Sequence, residues 1–178
     1  MDPFTIRWAR ENDAEAILQM IKNLATFERQ PEAVILSVDE LKRDLFSIDN
    51  YCYCLLAENN QTKTLVGMCL FNKAYSTWKG RKLYLEDLYI EEEFRGIGIA
   101  KALLKSLMQY AETNQIQVIH LVCLKWNIRA LEMYDHLNFK NITKEEEWEL
   151  MEADKVTILK LSHSSEFKRL SQDLEFKN

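Results

Sequence analysis

Glycine and proline are scarce, four and two residues in a chain of 178. That scarcity excludes collagen-like, low-complexity and long flexible-linker architectures. No apolar run reaches the length of a membrane-crossing helix, and the opening segment MDPFTIRWAR lacks the apolar centre of a secretory leader. A cytoplasmic protein is therefore expected. The four cysteines form no CxxC pair and the three histidines supply no ligand spacing, so no structural metal is expected. Cys52, Cys54, Cys69 and Cys123 read as free thiols in a reducing compartment. No basic cluster is present and the net charge is −5, which argues against nucleic-acid or membrane partners; it suits a cationic ligand or simply serves solubility.

What is present is a chain 47% hydrophobic and 29% charged, of a size that suits one α/β domain. We expect a single domain over residues 1–161 and a polar tail over 162–178. Residues 4–8 alternate as a first strand. Asn12 and Asp13 stand as caps for a helix over 14–28, where Ile17, Ile21 and Leu24 make a helical stripe. Ser37 and Glu40 form a capping box for a short second helix. Strands are expected over 51–58, 64–71 and 82–90. A helix follows to about residue 113, then an apolar strand over 118–124 and a helix over 129–136. Closing strands are expected over 139–143, 147–151 and 156–161. Antiparallel strands followed by a βαβ crossover imply a mixed sheet of about seven strands with helices on both faces.

The strongest local signal is Arg95-Gly96-Ile97-Gly98-Ile99-Ala100-Lys101. Two glycines let backbone amides approach an anion, and a helix opening there leaves unpaired N–H groups and a favourable dipole. A pyrophosphate is the natural guest; a turn that merely tightens a strand–helix junction is the other reading. Lys101 stands where a dinucleotide fingerprint needs its third glycine, and no P-loop is present.

Arg95, Gly98 and Ala100 do match the [Q/R]xxGx[G/A] signature of the GNAT acetyltransferases. YSTWKGRKLYLEDLYI over 75–90, IKNLATFE over 21–28, LKWN over 124–127 and EEEW over 145–148 resemble the spermidine/spermine acetyltransferase subfamily, nearest its thialysine-acetylating branch. The resemblance runs over about residues 4–160. It implies the GNAT fold, with parallel strands four and five splayed around acetyl-CoA. It also implies a homodimer, and the cofactor then lies against Leu88, Tyr89 and Ile90, on Arg95, Gly96, Ile97, Gly98, Ile99, Ala100 and Lys101, and beside Asn127, Ile128, Arg129 and Ala130. Tyr134 takes the place of the acid that protonates the departing thiolate; packed in the core, it would have no such role.

An alkyl ammonium is protonated at neutral pH, so the reaction needs a proton acceptor. The resemblance gives that role to Glu86. Adjacent strand residues point to opposite faces, so Glu86 and Asp87 are expected to serve different parts of the cleft. By the same resemblance Asp87 and Glu28 hold distal positive charge, and Phe27, Trp78, His120, Leu121, Val122, Glu146 and Trp148 line the amine site. Each acid could instead be a solvated or paired surface charge. Ser76 stands where the polyamine branch carries an acid, which points to a short lysine-like amine rather than spermidine or spermine. An acetyltransferase of protein lysines or N-termini, and a non-catalytic CoA-binding module, are the alternatives.

Overall fold

The computed structural model describes residues 3–146 and 149–163. Those residues form two compact units, which divide between Ile128 and Arg129.

The first unit holds strand β1 (Phe4–Trp8), helices α1 (Ala14–Phe27) and α2 (Val38–Phe46), strands β2 (Tyr53–Asn59), β3 (Leu65–Ser76) and β4 (Gly80–Ile90), helix α3 (Ile99–Thr113) and strand β5 (Val118–Leu121). The strands form one sheet in the order β1-β2-β3-β4-β5. The first three pairings are antiparallel and β4–β5 is parallel, so the expected mixed sheet is present.

Two cores sandwich the sheet. On one face Ile17, Leu18 and Met20 of α1 and Leu41 and Leu45 of α2 pack on Cys54, Leu56, Met68, Leu70 and Tyr89. On the other, Tyr110 of α3 lies 5.3 Å from Phe71 and 5.4 Å from Trp8 between ring centroids. Burying a side chain such as Leu56 or Ile17 contributes about 1.5–3 kcal/mol, so these layers fix the sheet against its helices.

Local chemistry sets the helix starts. Ser37 Oγ accepts from the Glu40 amide, and the Glu40 carboxylate accepts from the Ser37 amide, which is the expected capping box. Asp13 behaves differently from expectation. It makes no side-chain cap on α1. Its carboxylate instead accepts from the Arg10 amide at 2.7 Å and from Arg7 at 2.7 and 3.0 Å. The guanidinium offers a stronger, two-pronged partner than a helix amide.

The second unit contains helix α4 (Ile128–His136, whose first residue belongs to the first unit), a 3-10 turn (Ile142–Lys144) and helix α5 (Lys155–Ser162). The expected closing strands are corrected here, and the sheet has five strands among the described residues rather than about seven. At 139–143 the amides of Glu145 and Glu146 turn back onto the Ile142 carbonyl, making a tight turn. At 156–161, β-branched Val156, Thr157 and Ile158 favour a strand. The Asp154 side chain nevertheless accepts from the Thr157 amide at 2.8 Å, and this cap turns the run into α5. Of 147–151, Leu150 and Met151 carry no regular structure, and Glu147 and Trp148 lie outside the described residues, as do the tail residues Phe167, Leu170 and Leu174.

Candidate active site

The site grows from an interruption in β4. Its ladder with β3 pairs Asp87 with Leu70 and Leu85 with Phe71, so Glu86 is left between them without a partner. This is a β-bulge, which bends a strand and re-aims its side chains. Phe71 and Leu85 face α3. Leu70 belongs to the α1–α2 core, so Asp87 opposite it faces that side. Tyr84, one residue before Leu85, faces the α1–α2 side too, and the Glu86 charge acts on it. The expected opposite orientation of Glu86 and Asp87 is thus corrected. The bulge breaks strict alternation, and Asp87 lies within the field of Glu86.

Glu28, at the C-terminal end of α1, completes a group of three acids. Burial is the largest cause holding Asp87 up at about 6, and the charges of Glu28 and Glu86 add to it. Burial also raises Glu28 and Glu86. Glu86 nonetheless reaches solvent, whereas Asp87 and Glu28 are half-buried. None of the three carries a salt bridge among the described residues. A cluster of acids without a cation partner is an arrangement that could receive one from a ligand.

Beside this group the sheet opens. Pairing of β4 with β5 ends at Leu85 with Leu121, whereas β4 continues to Ile90. The main chain of Leu88, Tyr89 and Ile90 therefore runs on without β5, and Val122 beyond β5 is 69% exposed. The departure of the chain after Leu121 corrects the expected strand over 118–124.

The glycine-rich loop follows β4. Gly96 and Gly98 adopt φ of 90° and 94°, a backbone region that costs an L side chain strain. A Cβ on Gly98 would meet nothing within 4 Å, so conformation rather than space demands glycine there. The first helical bond runs from Ala102 to the Gly98 carbonyl, and the amides of Ile99, Ala100 and Lys101 precede it. Ile99, 2% exposed, anchors the helix start in the core. The arrangement fits an anion presented to a helix N-terminus. Arg95 braces the loop: its Nε donates to the Ile90 carbonyl at 3.0 Å, and its guanidinium sits 5.3 Å from the Phe27 ring and 5.9 Å from Tyr89.

The other expected residues lie on further elements. Phe27 packs 5.3 Å from Trp126, and the Arg29 guanidinium also lies 4.9 Å from that ring. Trp78 is 77% exposed in the β3–β4 turn, where Ser76 Oγ accepts from the amides of Trp78 and Lys79. His120 stands opposite Tyr84 on β5. Asn127 directly precedes α4. In the second unit, Arg129, Ala130 and Tyr134 lie on α4, with the Tyr134 ring 5.3 Å from Phe139, and Glu146 is exposed after the 3-10 turn. Trp148 lies outside the described residues.

Burial disfavours the thiolate at each cysteine. Burial pushes Cys52 up to about 11 and Cys69 to about 12. Sequence reasoning missed the bulge, Lys82 and Asn72. The period-two run Lys82-Tyr84-Glu86 was the available signal for Lys82. Nothing local marks a bulge.

Comparison with known proteins follows the same lines. The model of the acetyltransferase (GNAT) family matches residues 6–139. The thialysine N-epsilon-acetyltransferase of Bos taurus is 36% identical over 149 residues, which are 80% of this chain and 88% of that protein. The Caenorhabditis elegans protein of that name is 33% identical over 162 residues, 91% of this chain and 99% of it. The human spermidine/spermine N(1)-acetyltransferase-like protein 1 is 34% identical over 167 residues, and the chain spans 24% of its length. Among solved structures, an integron cassette protein from Vibrio cholerae superposes with a TM-score of 0.71 at 20% identity, covering 92% of this chain and all of that one.

Proposed function

The chain belongs to the acetyltransferase (GNAT) family, and from that premise we propose that it transfers the acetyl group of acetyl-CoA to the primary amine of a small cationic substrate, a thialysine-like amino acid before a polyamine. The observation that carries this reading is the group of Glu28, Glu86 and Asp87 at the β4 bulge, beside the edge that β5 leaves open.

In this reading the amine attacks the thioester directly while both substrates are bound. The main chain of Leu88 and Ile90 meets the pantetheine arm, and an amide there polarises the thioester carbonyl. The amides of residues 96–101 receive the pyrophosphate. Asp87 and Glu28 hold positive charge. Glu86 takes the ammonium proton, and its contact with solvent favours a relay through water. Tyr134 donates a proton to the leaving thiolate, so the sulfur departs as a thiol. Ser76, occupied with capping its own turn, adds no carboxylate for a longer polycation. The family resemblance also supports a homodimer, which light scattering tests.

The deciding experiment is release of free CoA thiol from acetyl-CoA with thialysine, lysine, putrescine, spermidine, spermine or a lysine peptide. Thialysine is expected to give the highest kcat/KM. Turnover of the peptide alone would overturn the small-amine reading, and spermidine well above thialysine would overturn the branch.

A further inference from the structure

The face of β4 that carries Glu86 also carries a cation. Lys82, Tyr84 and Glu86 follow at a period of two, while Leu83 and Leu85 between them are buried at 0% and 2% exposure. In the parallel ladder His120 of β5 stands opposite Tyr84, and Lys82 Nζ lies 3.4 Å from His120 Nδ1. An ammonium can only donate there, so Nδ1 accepts and the ring proton sits on Nε2. The Lys82 ammonium, held beside the ring, keeps its remaining hydrogens to donate. On β3, Asn72 pairs with Tyr84 across the ladder and shares its face. Its Oδ1 is buried and has no hydrogen-bond partner. An acceptor in that state invites a donor from a ligand.

The face is thus divided by charge. Three carboxylates sit at the bulge; the Lys82 ammonium sits beside His120 at the level of Tyr84, two residues or about 7 Å along the strand from Glu86. A polyamine laid along it would bring its second ammonium up to Lys82. An amino acid with a terminal amine puts opposite charges at its two ends and matches both.

We infer that Lys82, held beside His120, forms an anion subsite for the α-carboxylate of a zwitterionic amino-acid substrate, with Asn72 accepting from its α-ammonium. This rests on the proposed function and makes Lys82 the residue that separates amino acids from polyamines. The terminal amine then points to the bulge, where the three acids receive it.

The test compares full-length wild type, Lys82→Met and Lys82→Arg on thialysine and on the diamine that keeps its thioether and both amines but lacks the carboxylate. Wild type should prefer thialysine. Lys82→Met should lower kcat/KM for thialysine roughly tenfold, through KM, because one charged hydrogen bond is lost. The same variant should raise kcat/KM for the diamine, since a repelling charge is gone. Lys82→Arg, which keeps the charge, should restore the preference. Equal effects of Lys82→Met on both amines, or none on either, would overturn the subsite and leave the acetyltransferase reading standing. If wild type acetylates neither amine while still binding acetyl-CoA, the small-amine reading falls and the subsite falls with it. Unchanged KM for acetyl-CoA shows that each variant is folded.

Discussion

Two groups of acids in the first unit receive opposite treatment. Near β1, Arg7 bonds to Asp13 with two nitrogens and reaches Glu58 at 2.8 Å. Near the β4 bulge, Glu28, Glu86 and Asp87 gather with no cation of the chain's own among the described residues. The hydrogen bond from Arg7 holds Asp13 below the usual carboxylate range, whereas burial lifts Asp87 to about 6. The first group is complete and ties β1 to the start of α1. The second lacks its counter-charge, and a protein keeps such a cluster where a ligand supplies it. Pairing, rather than acidity or burial, separates the carboxylates that brace the fold from those proposed to meet substrate.

The sharpest way to break that contrast is to remove one acid from each group. Glu86→Gln should lower kcat by about a hundredfold, the usual range for a lost proton acceptor. The deficit should be largest at low pH, where the amine holds its proton most firmly, and the melting temperature should scarcely move. Asp13→Asn should do the reverse. It leaves the partly buried Arg7 with one partner fewer and should cost about 2 kcal/mol in denaturant unfolding, while kcat/KM stays near wild type. If Asp13→Asn were the catalytically crippled variant, the division of labour would be wrong.

A third variant separates the two ends of the reaction. Tyr134→Phe removes the phenol proposed to protonate the thiolate. It should lower kcat roughly tenfold for every amine alike, since the leaving group is common to all. An effect that varied from one amine to the next would move Tyr134 to the amine side.

Much of this was legible in the sequence. The elements from β1 to α3 follow their apolar periods, and Ser37 and Glu40 announced α2. The positive φ of Gly96 and Gly98 is what a glycine pair before a helix predicts. Other features resist a local reading for physical reasons. Strand β3 runs to Ser76, past its apolar stretch, because Asn72, Lys73 and Ala74 are held by pairing with β4. The bulge at Glu86 is a mismatch between two strands, so neither strand states it alone. Residues 156–161 carry β-branched side chains, and a single cap from Asp154 outweighs their preference. Asp13 looked like a cap because its partner Arg7 lies six residues back, outside the window of capping patterns.

The smallest effect expected is also the most diagnostic, because its sign differs between the two groups. Asp13 is depressed in the fold, so its contribution to stability is present above the unfolded carboxylate value and disappears as pH falls through the depressed one. Asp87 is raised from 3.8 to about 6, so its ionisation costs stability. That cost is absent below the unfolded value and complete above about 6. The full shift corresponds to an upper bound of about 3 kcal/mol, and solvent reaching the half-buried side chain cuts this to about 1 kcal/mol. Asp87→Asn should therefore stabilise the protein by about 1 kcal/mol at neutral pH and by nothing near pH 3.8, even as it weakens amine binding. Unfolding curves across pH measure it. A variant that is destabilised at neutral pH would mean that Asp87 already has a partner, and the acids at the bulge would then be of the same structural kind as Asp13.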